Sequence, residues 1–312
     1  LVIKSNLYEI DKIYWLVEDC KKFATLPFAG LARCAFISIE LLNSLVATGN
    51  IGDKEKHSFL STIKTVTSEI KSDYKKLNKK KFIDKYGHLR PGTYDITSKN
   101  YKDGFQMYFN SSKNSKILNN KKINLSSKIR KALGKLGIYK NPNQVVDFIR
   151  DSIIGREYSK FIFTKSIDLI FQNLEKFGKK FDISLDDLSY IKIDKVLDMY
   201  FNLNNSSAIK SLKKHIQENK EAYNSNILID LPDVIVSSKD LYIRNKKFDK
   251  INFISDKKIS AKVIKFDKNN IKKNYDGIIF IENADPGFDF LFNKNIKGLV
   301  TKYGGLNSHM SN

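Results

Sequence analysis

The stretch GLVTKYGGLNSHMSN, residues 298–312, decides how the chain is read. Gly298–Thr301 is a short branched run that predicts a strand. Gly304 and Gly305 predict a turn, with Ser308 and His309 opening a helix behind it. Each part has a chemical use. Glycine leaves the backbone bare, so N–H groups can approach an anion closely. A helix N-terminus adds unpaired donors and partial positive charge, which favour a phosphate. The Thr301 and Ser308 hydroxyls can donate to phosphoryl oxygens. A neutral imidazole that titrates near physiological pH can attack as a nucleophile and depart as a leaving group. Together these features suit a phosphoryl group on His309 beside Thr301, Gly304, Gly305 and Ser308, and they equally suit an ordinary helix-start histidine beside an ordinary turn.

Working outward, the strand period extends upstream. Ile227–Ile235, Ala261–Phe266 and Gly277–Glu282 are further β-type runs, and DPGFDFLFNKN between the last two strands predicts a short helix. Before residue 225 the pattern is helical. Leu7, Ile10, Ile13, Tyr14 and Val17 fall at helical spacing, Pro27 and Gly30 mark a break or a helix start, and a second, largely buried helix is expected over 31–48. A third helix is expected over 53–78, with Phe59, Ile63, Val66 and Ile70 on one face. The segment FIDKYGHLRPGTYDI, 82–96, is broken by Gly87, Pro91 and Gly92. Residues 97–125 are polar and predict a long loop. A long helix starts at Asn143, Ser184 caps another through an S-x-x-D box, and 207–223 predicts a last amphipathic helix. The expected organisation is an all-helical domain over 1–224, a linker over 225–250 and an α/β module over 251–312. An extended tether of about twenty residues reaches ~65 Å, enough to swing a small module between two sites.

Composition narrows the function classes. The chain has 312 residues, of which 41% are hydrophobic, so it can bury a sizeable core. Two cysteines, Cys20 and Cys34, make neither a disulfide framework nor a zinc set; two reduced thiols and a cytoplasmic setting are expected, and no metal site. No apolar run reaches membrane-span length, since Glu40 and Asn43 interrupt the most apolar stretch, Cys34–Ala47. The net charge of +21 is spread as Lys through every segment without an aromatic–arginine stacking pattern, so no nucleic-acid partner is expected. A positive field also suits an anionic nucleotide substrate. The opening LVIKSNLYEIDKIYW reads like the interior of a fold, so a longer chain is expected.

The run G-L-V-T-K-Y-G-G-L-N-S-H-M resembles the swivelling phosphohistidine domain of PEP synthase, pyruvate phosphate dikinase and rifampicin phosphotransferase, and the upstream NADPGFDFLF also fits that domain. LYEIDKIYWLVEDCKKFATLPFAGLAR (7–33), YGHLRPGTYDI (86–96) and GREYSKFIFTK (155–165) resemble the substrate domain of PEP-synthase-like proteins in surface-polysaccharide gene sets. The resemblance implies a multi-domain α and α/β chain: an all-helical substrate domain followed by a swivelling β/β/α phosphohistidine domain that is incomplete at Asn312. It also implies an ATP-grasp-like domain upstream, where Mg-ATP would bind, because no nucleotide-binding motif occurs here. The implied chemistry is phosphorylation of His309 by ATP with release of AMP and phosphate, then transfer to a small acceptor. The favoured acceptor is the amide nitrogen of L-glutamine, for capsule phosphoramidate. Pyruvate, another small metabolite or an antibiotic is the alternative acceptor, and a non-catalytic phosphocarrier is the alternative of another class.

Candidate acceptor ligands sit in the glycine- and proline-broken motifs. Arg33, His88, Arg90, Tyr94 and Asp95 can line a pocket, with cations for a carboxylate and Asp95 for an ammonium. They can equally be buried polar pairs that hold an irregular loop against helices. Arg156, Glu157 and Lys160 lie within about one helical turn, as part of that pocket or as an ion-pair cluster. Trp15 is expected in the core.

Overall fold

The computed structural model describes residues 2–109, 126–135, 137, 141–201, 205–229, 231, 235–241, 253–255 and 257–303. The chain forms two compact units, Leu1–Trp15 with Ile170–Lys257, and Leu16–Leu169 with Lys258–Asn312. This division differs from the expected one. Residues 258–303, read as a module behind a linker, group with the first half of the helical region, and residues 170–224 group with the linker.

At Pro27 the helix-start reading holds, while the second helix begins at Leu26 and not at 31. Helix α1 (Glu9–Cys20) passes through a π-turn, Lys21–Thr25, into α2 (Leu26–Ala47) without a break. The Leu26 N–H donates to the Lys21 carbonyl, five residues back. That widened turn absorbs the proline, which has no N–H to give and stands in the first turn of α2, where none is required. Helix α2 is buried on one side only: Ala35, Ser38, Leu42 and Leu45 face inward, whereas Phe36 and Ile37 are exposed. The continuous stretch Glu9–Ala47 is long and apolar enough to cross a membrane by length and composition, with a mean hydropathy of 1.5 in its most apolar window, and only a minority of that window is buried. Trp15, expected inside, is half-exposed and meets the Tyr14 ring edge-on at 5.4 Å.

The expected helix over 53–78 is two, α3 (Asp53–Ser61) and α4 (Val66–Lys76). The break serves two cores. Phe59 and Ile63 pack with Leu42 and Leu45 of α2, with Ile129, Ala132 and Leu133 of α7 (Ser126–Lys135), and with Val145, Val146 and Ile149 of α8 (Pro142–Lys180). Ile70 belongs instead to a second core. There Tyr74 of α4, Phe82 and Tyr86 of α5 (Lys79–Tyr86), Tyr108 of α6 (Phe105–Tyr108) and Phe161 of α8 meet the residues of the sheet.

That sheet has three parallel strands in the order β1 (Val263–Lys265), β2 (Ile278–Asn283), β3 (Gly298–Tyr303). Lys265 stands opposite Phe280, and Asn283 opposite Tyr303. A 3₁₀ segment, Pro286–Asn293, connects β2 to β3 and buries Phe288, Phe290 and Leu291 in the second core with Ile279 and Ile281. The expected strand over Ile227–Ile235 does not form among the described residues. The Ile227 N–H instead donates to the Tyr223 carbonyl, extending the last turn of a helix that spans Asn205–Asn226. In the same unit Ser184 caps Leu185–Leu188 as expected, accepting from the Asp187 N–H.

The one-sided burial of α2 has a stability signature. Leu42→Ala should cost ~2–5 kcal/mol by chemical denaturation, because a fully enclosed site leaves a cavity. Ile37→Ala should stay within ~0.5 kcal/mol. Equal costs would mean that α2 is enclosed all round.

Candidate functional site

The motif LRPGTYDITSKN folds into a loop pinned at both ends. At its base the Tyr101 N–H donates to the Leu89 carbonyl at 2.7 Å and the Lys102 N–H to the Gly87 carbonyl at 3.0 Å. At its tip Gly92 takes φ +67°, a conformation costly for any residue with a Cβ. The Asp95 carboxylate then closes the turn, accepting from the Thr97 N–H at 2.9 Å, the Thr97 hydroxyl at 2.6 Å and the Ser98 hydroxyl at 2.9 Å.

Two side chains tie this loop to α8. Arg90 is buried; its Nη1 donates to the Ser98 carbonyl at 3.0 Å and its Nη2 to the carboxylate of Asp168, also buried. Asn100 Nδ2 donates to the same Asp168 oxygen at 3.0 Å. His88 Nε2 lies 3.0 Å from the Phe161 carbonyl. Burial pushes the His88 imidazole down to about 4, against the opposing pull of that carbonyl, so at neutral pH the ring is neutral. A neutral ring bonded to a carbonyl carries its proton on Nε2.

The sheet side meets the loop at three polar points. Lys268 Nζ lies 2.7 Å from Asp95 Oδ2 and also donates to the Thr97 hydroxyl. The Thr93 hydroxyl donates to Asp285 at 3.5 Å, and Lys160 of α8 reaches the same carboxylate at 3.8 Å. Burial raises the Asp95 pKa, but the hydrogen bonds from Lys268, Thr97 and Ser98 outweigh it and hold the carboxyl below its usual range. Between loop and sheet lies a cleft of about 550 Å³. The residues after β1 (Phe266, Asp267, Asn269) and the carboxyl end of β2 (Glu282, Asn283) line one wall, and Pro91, Gly92 and Ser98 the other. Since β3 pairs parallel to β2 with Tyr303 opposite Asn283, the chain leaves β3 at this same sheet edge. Thr301 is half-buried in β3; Gly304, Gly305, Ser308 and His309 lie outside the described residues.

The expected acceptor ligands make several separate sets of contacts, with Lys160 and Tyr94 both near Asp285. Arg90 and Asp95 hold the loop, as the alternative reading of the motif has it. Arg156 stands 3.6 Å from the buried Glu157 and over the Phe36 ring at 5.7 Å. Lys160 joins Thr93 at Asp285, Tyr94 is exposed on the loop, and Arg33 is exposed on α2. Asp168, Asn100, Lys268 and Asp285 were not expected. Asp168 had a visible signal: Phe161, Thr164 and Asp168 share one face of α8, so a carboxylate occupies a core position and needs a buried cation. Lys268 had none, because nothing local separates it from its neighbouring lysines.

Among the described residues no group of three or more His, Cys, Asp or Glu is placed to hold a metal ion. No protein-family model matches the chain, and no curated protein matches it.

Two measurements test these roles. Arg90→Ala should cost ~3–5 kcal/mol in denaturant, since it strands a buried carboxylate. His88 should act through pH. Its folded pKa lies below its unfolded value, so the unfolded chain binds more protons between about 6.5 and 4. The stabilisation from its neutral form is complete above that window and is lost as pH falls through it, by on the order of 3 kcal/mol. His88→Gln should flatten the pH–stability curve in that window, and an unchanged slope would assign the acid sensitivity elsewhere.

Proposed function

We propose that the chain is part of a phosphotransferase that carries a phosphoryl group on His309 and passes it to a small polar acceptor in the cleft between the RPGTYD loop and the sheet. The observation that carries this reading is the shared edge. The chain leaving β3 toward Gly304-Gly305-x-x-Ser308-His309 starts from the sheet edge that lines the cleft. His309 is six residues beyond Tyr303, and six residues reach at most ~20 Å. The cleft volume lies within the ~300–1,000 Å³ typical of small-molecule sites.

The phosphoryl donor is ATP, bound by an ATP-grasp-like domain of the same longer protein. Overall, ATP, water and acceptor give AMP, phosphate and phosphorylated acceptor. The particular enzyme proposed is an L-glutamine kinase of capsule phosphoramidate biosynthesis. The rim of the cleft supports an amino-acid acceptor over a large apolar one. It offers both signs of charge, Lys265 for a carboxylate and Asp267 or Glu282 for an ammonium, and the rings of Phe266, Phe280 and Phe288 suit a short methylene chain. In the transfer the amide nitrogen attacks phosphorus. The bond from phosphorus to His309 breaks, its electron pair returns to the imidazole, and the amide proton passes to a rim carboxylate. Holding both reactants in one cleft compensates for the weak nucleophilicity of an amide.

The test follows phosphorus by NMR in the intact protein supplied with Mg-ATP and single acceptors. L-glutamine should give a new P–N resonance together with AMP, and His309→Asn should abolish both. Turnover near wild type in a folded His309→Asn protein would overturn the phosphohistidine reading. Phosphorylation of pyruvate but not glutamine would overturn the acceptor.

A further inference from the structure

The outward face of α2 is apolar, cationic and exposed. Phe23 of the π-turn and Leu26, Phe36 and Ile37 of α2 are each more than half exposed. Leu26, Gly30, Arg33 and Ile37 recur at three- and four-residue spacing, so they share one face. Phe36 lies at its edge, under Arg156. The opposite face is the one held by the fold. Phe28 lies 5.1 Å from Phe163 of α8, Leu31 packs against Gly155, and Ala35, Leu42 and Leu45 are buried. From Lys21 to Ile39 the chain has three cations, Lys21, Lys22 and Arg33, and no acid. Glu18 and Asp19 precede this run and Glu40 follows it; Glu18 pairs with Lys21 at 2.7 Å.

We propose that α2 is an interfacial helix that docks the protein on an anionic lipid surface. Large apolar side chains gathered on one exposed face mark an interaction site. Because α2 is held along its inner face, it is placed to lie on a bilayer and not to cross one. Charge decides the occupant. A second copy pairing stripe to stripe across a two-fold axis would set Arg33, in the middle of the stripe, beside its own image in an apolar seam. A net charge of +21 also makes copies of the chain repel. An anionic bilayer turns both effects around. Phe23, Leu26 and Ile37 enter the boundary of the acyl chains, and Lys22 and Arg33 extend along the apolar surface to the headgroup phosphates. The argument is independent of the phosphotransferase reading.

The test floats the intact protein with vesicles of phosphatidylcholine, alone or mixed with phosphatidylglycerol. Binding to the mixed vesicles should be ~tenfold tighter or more. A basic chain is drawn to anionic lipid in any case, so the deciding variants keep every charge. Leu26→Ser combined with Ile37→Ser should weaken binding to mixed vesicles by ~tenfold or more. Both positions are exposed, and circular dichroism checks that the fold is retained. Gly30→Leu should tighten binding by ~threefold or more, and it does not depend on a loss. A Cβ there meets no atom within 4 Å, and leucine favours the helix over glycine. Arg33→Glu should weaken binding by ~tenfold or more. Equal affinity for neutral and mixed vesicles overturns the proposal, and so does unchanged affinity in Gly30→Leu or in the folded serine pair. Self-association without lipid that the serine pair abolishes assigns the face to a second copy and overturns it too.

Discussion

The buried pair of Arg90 and Asp168 is the constraint on which the candidate site depends. Removing both charges from water is costly, and their attraction compensates only when the remaining hydrogen-bonding capacity is filled. Here Asn100 and the Ser98 carbonyl supply the missing partners. The result is one geometry for the whole loop, because Arg90, Ser98 and Asn100 span it and Asp168 belongs to the rigid α8. A buried ion pair adds little net stability over an apolar substitute. It does penalise every alternative arrangement of the loop, and a site that must hold a reactant needs that specificity.

The loop in turn fixes what the sheet can reach. Gly287 fits against the Arg90 carbonyl only because Arg90 has placed its backbone there. The same core then serves both sides: Tyr86, Tyr101 and Tyr108 on the helical side, and Ile279, Phe290 and Leu291 on the other, all lie in one cluster. Interfaces within a chain move readily when they are small and polar, and less readily when they are large and apolar. The apolar character of this one is why the sheet groups with residues 16–169 and not with the segment that precedes it.

Much of this was legible from the chain alone, and the failures have physical causes. The strand runs Ala261–Phe266, Gly277–Glu282 and Gly298–Thr301 each correspond to a strand, since branched residues between breakers leave few alternatives. The long helical run expected from Asn143 corresponds to α8, with its sustained helical period. Pro27 marks a helix start, one of its two readings, but the π-turn that joins α1 to α2 without a break was not legible, because no local pattern announces the extra residue. In Ile227–Ile235 the described start of the run continues the preceding helix, a continuation that an apolar run does not distinguish from a strand. At the candidate site, the motif HLRPGTYD marks a loop that lines the cleft. Which of its charges are free for a ligand was not legible, because Asp168 and Lys268 come from 78 residues downstream of Arg90 and 173 downstream of Asp95.

That last point redirects recognition within the proposed site. A guanidinium pointing at a buried carboxylate and a backbone carbonyl has little left for a substrate carboxylate, and Asp95 already accepts from three residues. Drawing either charge onto a ligand would break the loop that forms the wall of the cleft. The groups able to bind without that cost are those that line the cleft from the sheet: Lys265, Asp267, Glu282 and the amides of Asn269 and Asn283. In the proposed reading, acceptor recognition then falls to the sheet that precedes His309 in the sequence, and the loop contributes shape and the exclusion of water, not charge.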